Sequence, residues 1–141
     1  MPTELLSYAQ KIDFPSQAEN IHLVEKLVDE VCDELHVQED NYGNILIALT
    51  EAVNNAIHHG NKQDPNKKTS VSCETTEHKL TFKVEDEGNG FNFYNLPDPT
   101  SPENIENPNG RGIFLMKNLA DEINFDKDGR VVELTFHILE N

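Results

Sequence analysis

Apolar residues recur along this chain with two different periods, and the places where the period changes mark its elements. From Ile21 to Leu35 the positions Ile21, Val24, Leu27, Val28, Val31 and Leu35 return every three or four residues, while Glu25, Asp29, Glu30 and Asp33 fill the other side. That spacing predicts an amphipathic helix over 17–36. Ser16-Gln17-Ala18-Glu19 at its start has the form of a capping box, with Ser16 able to accept an orphan amide and Glu19 able to reach back. A second helix is expected over about 40–59, with Ile45, Leu46, Leu49, Val53, Ala56 and Ile57 as its buried stripe. Gly60 stops it, and Pro65 prevents it from resuming.

Elsewhere the period is two. Residues 5–14 alternate through Leu6, Tyr8, Ile12 and Phe14, which predicts an opening strand. Residues 69–75 and 79–86 alternate through Val71, Cys73, Leu80, Phe82 and Val84 on either side of a short turn, and read as an antiparallel hairpin. A second hairpin, 122–126 with 130–139, is expected around Asp126-Lys127-Asp128-Gly129. Residues 92–110 hold four of the seven prolines and show no period. So long a loop inside a compact domain is either functional or a disordered insertion. After it, Ile113, Leu115, Met116 and Leu119 predict a short helix over about 111–121. The fold class that follows is α+β: a two-layer sandwich of mostly antiparallel, mixed sheet with helices on one face.

Length and charge narrow the function. The 141 residues fit one domain, 1–141. Twenty-six acidic against 11 basic residues, a formal charge of −15, exclude a direct nucleic-acid reader. The acidity is that of a solvated surface or of a protein that meets a basic partner. No stretch has the length of a membrane span and no apolar signal core opens the chain, so a cytoplasmic protein is expected. Cys32 and Cys73 form no CxxC pair and read as buried thiols in a reducing compartment.

Three segments carry candidate chemistry. In Thr50-Glu51-Ala52-Val53-Asn54-Asn55-Ala56-Ile57-His58-His59-Gly60-Asn61, Glu51 and Asn55 are four residues apart and share one side of the helix. An asparagine carboxamide oxygen suits Mg²⁺, and a carboxylate one turn away can take a proton from an attacking hydroxyl. Taken alone, the pair also fits a solvated polar face. His58 and His59 point about 100° apart on a helix and cannot clamp one ion, so helix-end capping is the better reading of both. In Glu85-Asp86-Glu87-Gly88-Asn89-Gly90-Phe91, Asp86 ends a strand beside Gly88 and Gly90. Glycines let the backbone approach a flat ligand and a buried carboxylate can accept from an exocyclic amine, although an ordinary turn has the same pattern. In Asn109-Gly110-Arg111-Gly112-Ile113-Phe114-Leu115 a glycine pair opens a helix, where free amides and the positive dipole end favour phosphate. Arg111 is then either a phosphate contact or a solvated arginine.

In order and spacing these segments resemble the asparagine box and the two glycine boxes of the histidine-kinase-like ATPases. The form Thr50-Glu51-Ala52-Val53-Asn54-Asn55-Ala56, closing in His59-Gly60, is most similar to the small anti-sigma-factor serine/threonine kinases of partner-switching systems. The resemblance covers nearly the whole chain. It implies ATP and Mg²⁺ as cofactors, Glu51 as catalytic base, Asn55 as Mg²⁺ ligand, and Asp86 as the adenine-contacting aspartate. Gly88, Gly90, Gly110, Arg111 and Gly112 complete the nucleotide-binding set, with residues 92–110 as an ATP lid. It further implies phosphorylation of an anti-sigma-factor antagonist of the STAS type, sequestration of a sigma factor, and a homodimer. The competing expectation is a nucleotide-gated module that sequesters its partner without phosphotransfer. Glu51 favours the kinase, because nucleotide binding alone needs no base.

Overall fold

A computed structural model of the chain describes residues 8–76, 78–88, 108–127 and 130–138, with the backbone alone for His59 and residues 108–113. Strand β1 (Ala9–Pro15) leads through a 3-10 turn (Ala18–Asn20) into α1 (Ile21–Glu34) and α2 (Glu39–Asn55), which continues as a π turn (Ala56–Gly60). Strands β2 (Lys68–Thr76) and β3 (Lys79–Glu85) follow, then α3 (Pro108–Leu119), β4 (Glu122–Asp126) and β5 (Val131–His137). The sheet order is β1-β2-β3-β5-β4, and every pairing among the described residues is antiparallel.

Alternation along the strands divides the sheet into two faces. Phe14, Val71, Cys73, Leu80, Phe82, Val84, Leu134 and Phe136 lie on one face and are buried. The apolar stripes of α1 and α2 cover that face: Val24, Val28, Val31, Ile45, Leu49, Val53 and Ile57 are all fully buried. Phe82 meets Phe136 edge-on, ring centroids 6.3 Å apart. Met116 carries α3, which packs on α2, into the same core. The other face is polar, with Lys11, Ser72, Glu74, Thr81, Lys83 and Glu133 around a depression of about 480 Å³.

Three local expectations are corrected. Ser16 does not cap the first helix: it is fully buried, its hydroxyl donates to the Lys67 carbonyl at 2.8 Å, and neither Gln17 nor Asn20 makes a side-chain cap. Burial between the end of β1 and the start of β2 puts that hydroxyl beside a carbonyl it must satisfy. The helix therefore starts through a 3-10 turn. It ends at Glu34 rather than 36, where His36 turns left-handed (φ 55°) and the Val37 amide reaches back to Cys32 O at 2.9 Å. Helix α3 begins at Pro108, three residues early, because a proline with its φ preset suits the first helical position. The glycine pair 110 and 112 thus lies within the opening of α3 and not ahead of it.

Candidate functional site

Two segments distant in sequence meet at one end of the sheet. Helix α2 delivers Glu51 and Asn55, both half-buried, on its last turn. Beyond Asn55 the helix widens into the π turn, whose final hydrogen bond runs from the Asn61 amide to the Ala56 carbonyl at 2.8 Å. The extra residue brings Gly60 directly onto the Asp86 carboxylate, and Gly88 onto the Gly60 carbonyl. A Cβ on either glycine would overlap these atoms. Gly60 is thus required for close approach rather than for a left-handed helix stop. The left-handed residues come next, at Lys62 (φ 52°) and Gln63 (φ 59°). Each costs roughly 1 kcal/mol, so the reversal after the helix persists only because its surroundings hold it.

Asp86 is 9% exposed and stands where β3 ends. Its amide donates to Arg130 O at 3.0 Å, and its Oδ1 accepts the Gly88 amide at 2.8 Å. Burial raises its pKa above the ordinary carboxylate range, partly offset by that amide and by the positive charge of Arg130. A carboxylate offers about four lone-pair sites, and among the described residues the Gly88 amide uses one. The group is therefore a buried acceptor with capacity for a donor from outside the chain, which suits an exocyclic amine held against glycine backbone. Asn55, a neutral oxygen donor on a rigid helix, suits Mg²⁺ in the one-or-two-ligand manner that ion accepts.

The turn that carries Asp86 is tied down by residues outside the expected nucleotide-binding set. Asn61 is 1% exposed. Its Nδ2 donates to Ser16 Oγ at 2.7 Å and to Lys68 O at 2.9 Å, and its Oδ1 accepts the Glu87 amide at 2.7 Å. Ser16 Oγ in turn lies 2.9 Å from Thr69 Oγ1, and the Glu87 carboxylate accepts the Lys68 amide. The sole sequence signal for this cluster is an asparagine directly after the glycine that ends a helix.

Of the residues expected at the site, Asp86 and Gly88 meet Gly60, which ends the π turn following the helix that carries Glu51 and Asn55. Gly110, Arg111 and Gly112 are placed by their backbone in α3, which packs on α2. The Arg111 side chain, Gly90 and residues 92–107 of the expected lid lie outside the described residues. The depression on the polar sheet face is unrelated to this junction, since it opens on the side away from the helices.

The class of protein follows from the two-layer α+β fold, with a buried aspartate and close-packed glycines at the end of β3, taken with its relatives. The model of the histidine kinase-like ATPase domain matches residues 14–136, and the chain belongs to that family. It is similar to the serine-protein kinase RsbW of Bacillus mycoides, 29% identical over 135 residues that cover 91% of this chain and 84% of that protein. RsbW of Bacillus cereus is 27% identical over the same shares. The crystal structure of the RsbU and RsbW domains of a Mycobacterium tuberculosis protein shares the fold, with a TM-score of 0.67 at 16% identity. That likeness covers 95% of this chain, which spans 33% of the larger one.

Proposed function

We propose that this protein is an anti-sigma factor that works as a Mg-ATP-dependent serine/threonine kinase, phosphorylating an anti-sigma-factor antagonist in a partner-switching system. The observation that carries the reading is the seating of Gly60 on the Asp86 carboxylate. It joins the helix that bears a base and a metal ligand to the acceptor for the purine. The similarity to RsbW kinases over 91% of the chain supports the same assignment.

The roles follow from chemistry. Asp86 accepts from the exocyclic amine of adenine, with Gly88 and Gly90 allowing the base to lie close. Gly110 and Gly112, with Arg111, serve the phosphates from the opening of α3. Asn55 holds Mg²⁺, which when bound neutralises phosphate charge and orients the γ-phosphoryl group. Glu51 takes the proton of the substrate hydroxyl as its oxygen attacks the γ-phosphorus and the bond to the bridging oxygen breaks, releasing ADP. An isolated acidic surface would repel a triphosphate; local amides and the cation remove that barrier.

The partners in this reading are a STAS-type antagonist, which receives the phosphate, and a sigma factor, bound by a homodimer of this chain in the cytoplasm. Among the described residues no helix is long and apolar enough to cross a membrane. The decisive test combines ATP titration by calorimetry, with Mg²⁺ and with excess chelator, and transfer from γ-labelled ATP to a serine of a co-encoded antagonist. Mg²⁺-dependent binding with labelled serine is expected. Binding without transfer to any such antagonist would return the protein to a sequestering module, and absence of binding would remove the nucleotide as well.

A further inference from the structure

Asn61 closes the segment that carries Glu51 and Asn55, and nothing in the nucleotide chemistry above uses it. Yet it is the most densely engaged polar side chain among the described residues. Its carboxamide joins the ends of four elements: the π turn it follows, β1 through Ser16, β2 through Lys68, and the turn after β3 through Glu87. The orientation of the amide is forced. Glu87 N–H can only donate and Lys68 C=O can only accept, so Oδ1 must face the former and Nδ2 the latter.

We propose that Asn61 is the positioning residue for the purine end of the site, a role that rests on Asp86 meeting the base as proposed above. The chain is fastened on both sides of the Asp86 side chain, through the peptide before it and the peptide after it. The Asp86 amide is held by Arg130 O from the β5 side at 3.0 Å, and the Glu87 amide by Asn61 Oδ1 from the α2 side at 2.7 Å. The first bond continues the sheet. The second joins the sheet to the helix that bears Glu51 and Asn55. Without it the Glu87 amide is an orphan at a part-buried position, and it regains a partner only if the turn lifts toward water. Lifting carries the Asp86 carboxylate off Gly60 and away from the place an exocyclic amine would occupy. The phosphate end is built on other elements and is not displaced. The loss should therefore fall on recognition of the amine.

The test compares ATP with purine riboside triphosphate, which has the same phosphates and no exocyclic amine, by calorimetry at a temperature well below each variant's Tm. The unaltered protein should prefer ATP. Asn61→Ala should weaken ATP about tenfold, as for one lost hydrogen bond of 1.4 kcal/mol, and leave purine riboside triphosphate within about twofold. Asn61→Asp keeps the acceptor for Glu87, loses the donors to Ser16 and Lys68, and sets a carboxylate oxygen against the Lys68 carbonyl. It should lower Tm while retaining the preference for ATP, a separation that a purely structural role would not give. Equal weakening of both nucleotides by Asn61→Ala, or a preference for ATP left intact, would overturn the role of Asn61 alone. An unaltered protein that binds both nucleotides alike would overturn the reading of Asp86, and this role with it. Hydrogen exchange of the unaltered protein adds a check that needs no variant: the Glu87 amide should be protected as strongly as that of Asp86, and rapid exchange at Glu87 would refute the clamp.

Discussion

Replacing Asp86 by Asn should make the nucleotide-free protein more stable and the nucleotide-bound one weaker. The side chain is 9% exposed, and burial raises its pKa. A raised carboxylate pKa means that the folded state binds its proton more tightly than the unfolded chain does. The associated stability is complete below the ordinary carboxylate range and is lost as pH rises through the raised value, so at pH 7 the ionised group is a net cost. An asparagine keeps the acceptor for the Gly88 amide, now at 2.8 Å from Asp86 Oδ1, and removes that cost. Against the adenine amine, however, it turns an NH₂ where an ionised oxygen stood. Losing a hydrogen bond to a charged acceptor costs about 1.5–3 kcal/mol, or about 10- to 150-fold in Kd. Thermal unfolding from pH 4 to 8 without nucleotide should show Tm falling with pH in the unaltered protein and a flatter profile with a higher neutral Tm in Asp86→Asn, while calorimetry shows the loss in ATP affinity. A variant less stable at pH 7 would refute the buried-charge reasoning, and ATP affinity within twofold of the original would refute the contact with the base.

Glu51→Gln should slow phosphotransfer by about 10²–10⁴, the usual worth of a general base, with ATP affinity unchanged; comparable loss of both in single-turnover and binding assays would make Glu51 a structural residue. Gly60→Ala places a methyl on the Asp86 carboxylate, the movable end of a side chain, so Tm should fall modestly while ATP binding is largely lost, whereas Gly88→Ala meets the Gly60 carbonyl and should cost both. Cys32 and Cys73, whose thiols burial pushes up to about 11, should resist a thiol reagent at pH 8 until denaturant is added; prompt labelling of the native protein would contradict their place in the core.

Periodicity made most of the framework legible before any coordinates. The stripes of α1 and α2 and the alternation of β2 and β3 report directly which face each element buries, because a single local rule relates spacing to geometry. Strand order was not legible. The placement of β5 between β3 and β4 depends on pairings such as Phe82 with Leu134, which no local pattern encodes. The reading of Ser16 failed for a related reason: a capping box is a local signature, and its hydroxyl was claimed by a strand start 51 residues away. Within the candidate site, Glu51, Asn55, Asp86 and Gly88 entered as candidates through motif spacing. Asn61 did not, since its partners lie 45 residues upstream in Ser16 and 26 downstream in Glu87. Polar residues that hold a site together act through long-range hydrogen bonds, and a sequence shows them only as loop positions.

The same geometry explains why a site should be built at this junction rather than in the middle of the sheet. Apart from Thr69 at the start of β2, the middle of the covered face is apolar, and a carboxylate or a carboxamide there would face desolvation with no partner. At the carboxyl end of β3 the apolar layer stops, and the chain must reverse in any case. There the π turn lowers the end of α2 by one residue's width onto the strand end, and glycines at 60 and 88 let two backbones and one carboxylate share the space of a single side chain. The consequence is a buried carboxylate whose cost in the empty protein a donor from a ligand would offset. Ligand binding and folding stability are then linked at Asp86: nucleotide should raise Tm more in the unaltered protein than in Asp86→Asn at equal nucleotide concentration, because the stabilisation grows with the ratio of that concentration to Kd and the unaltered protein binds more tightly.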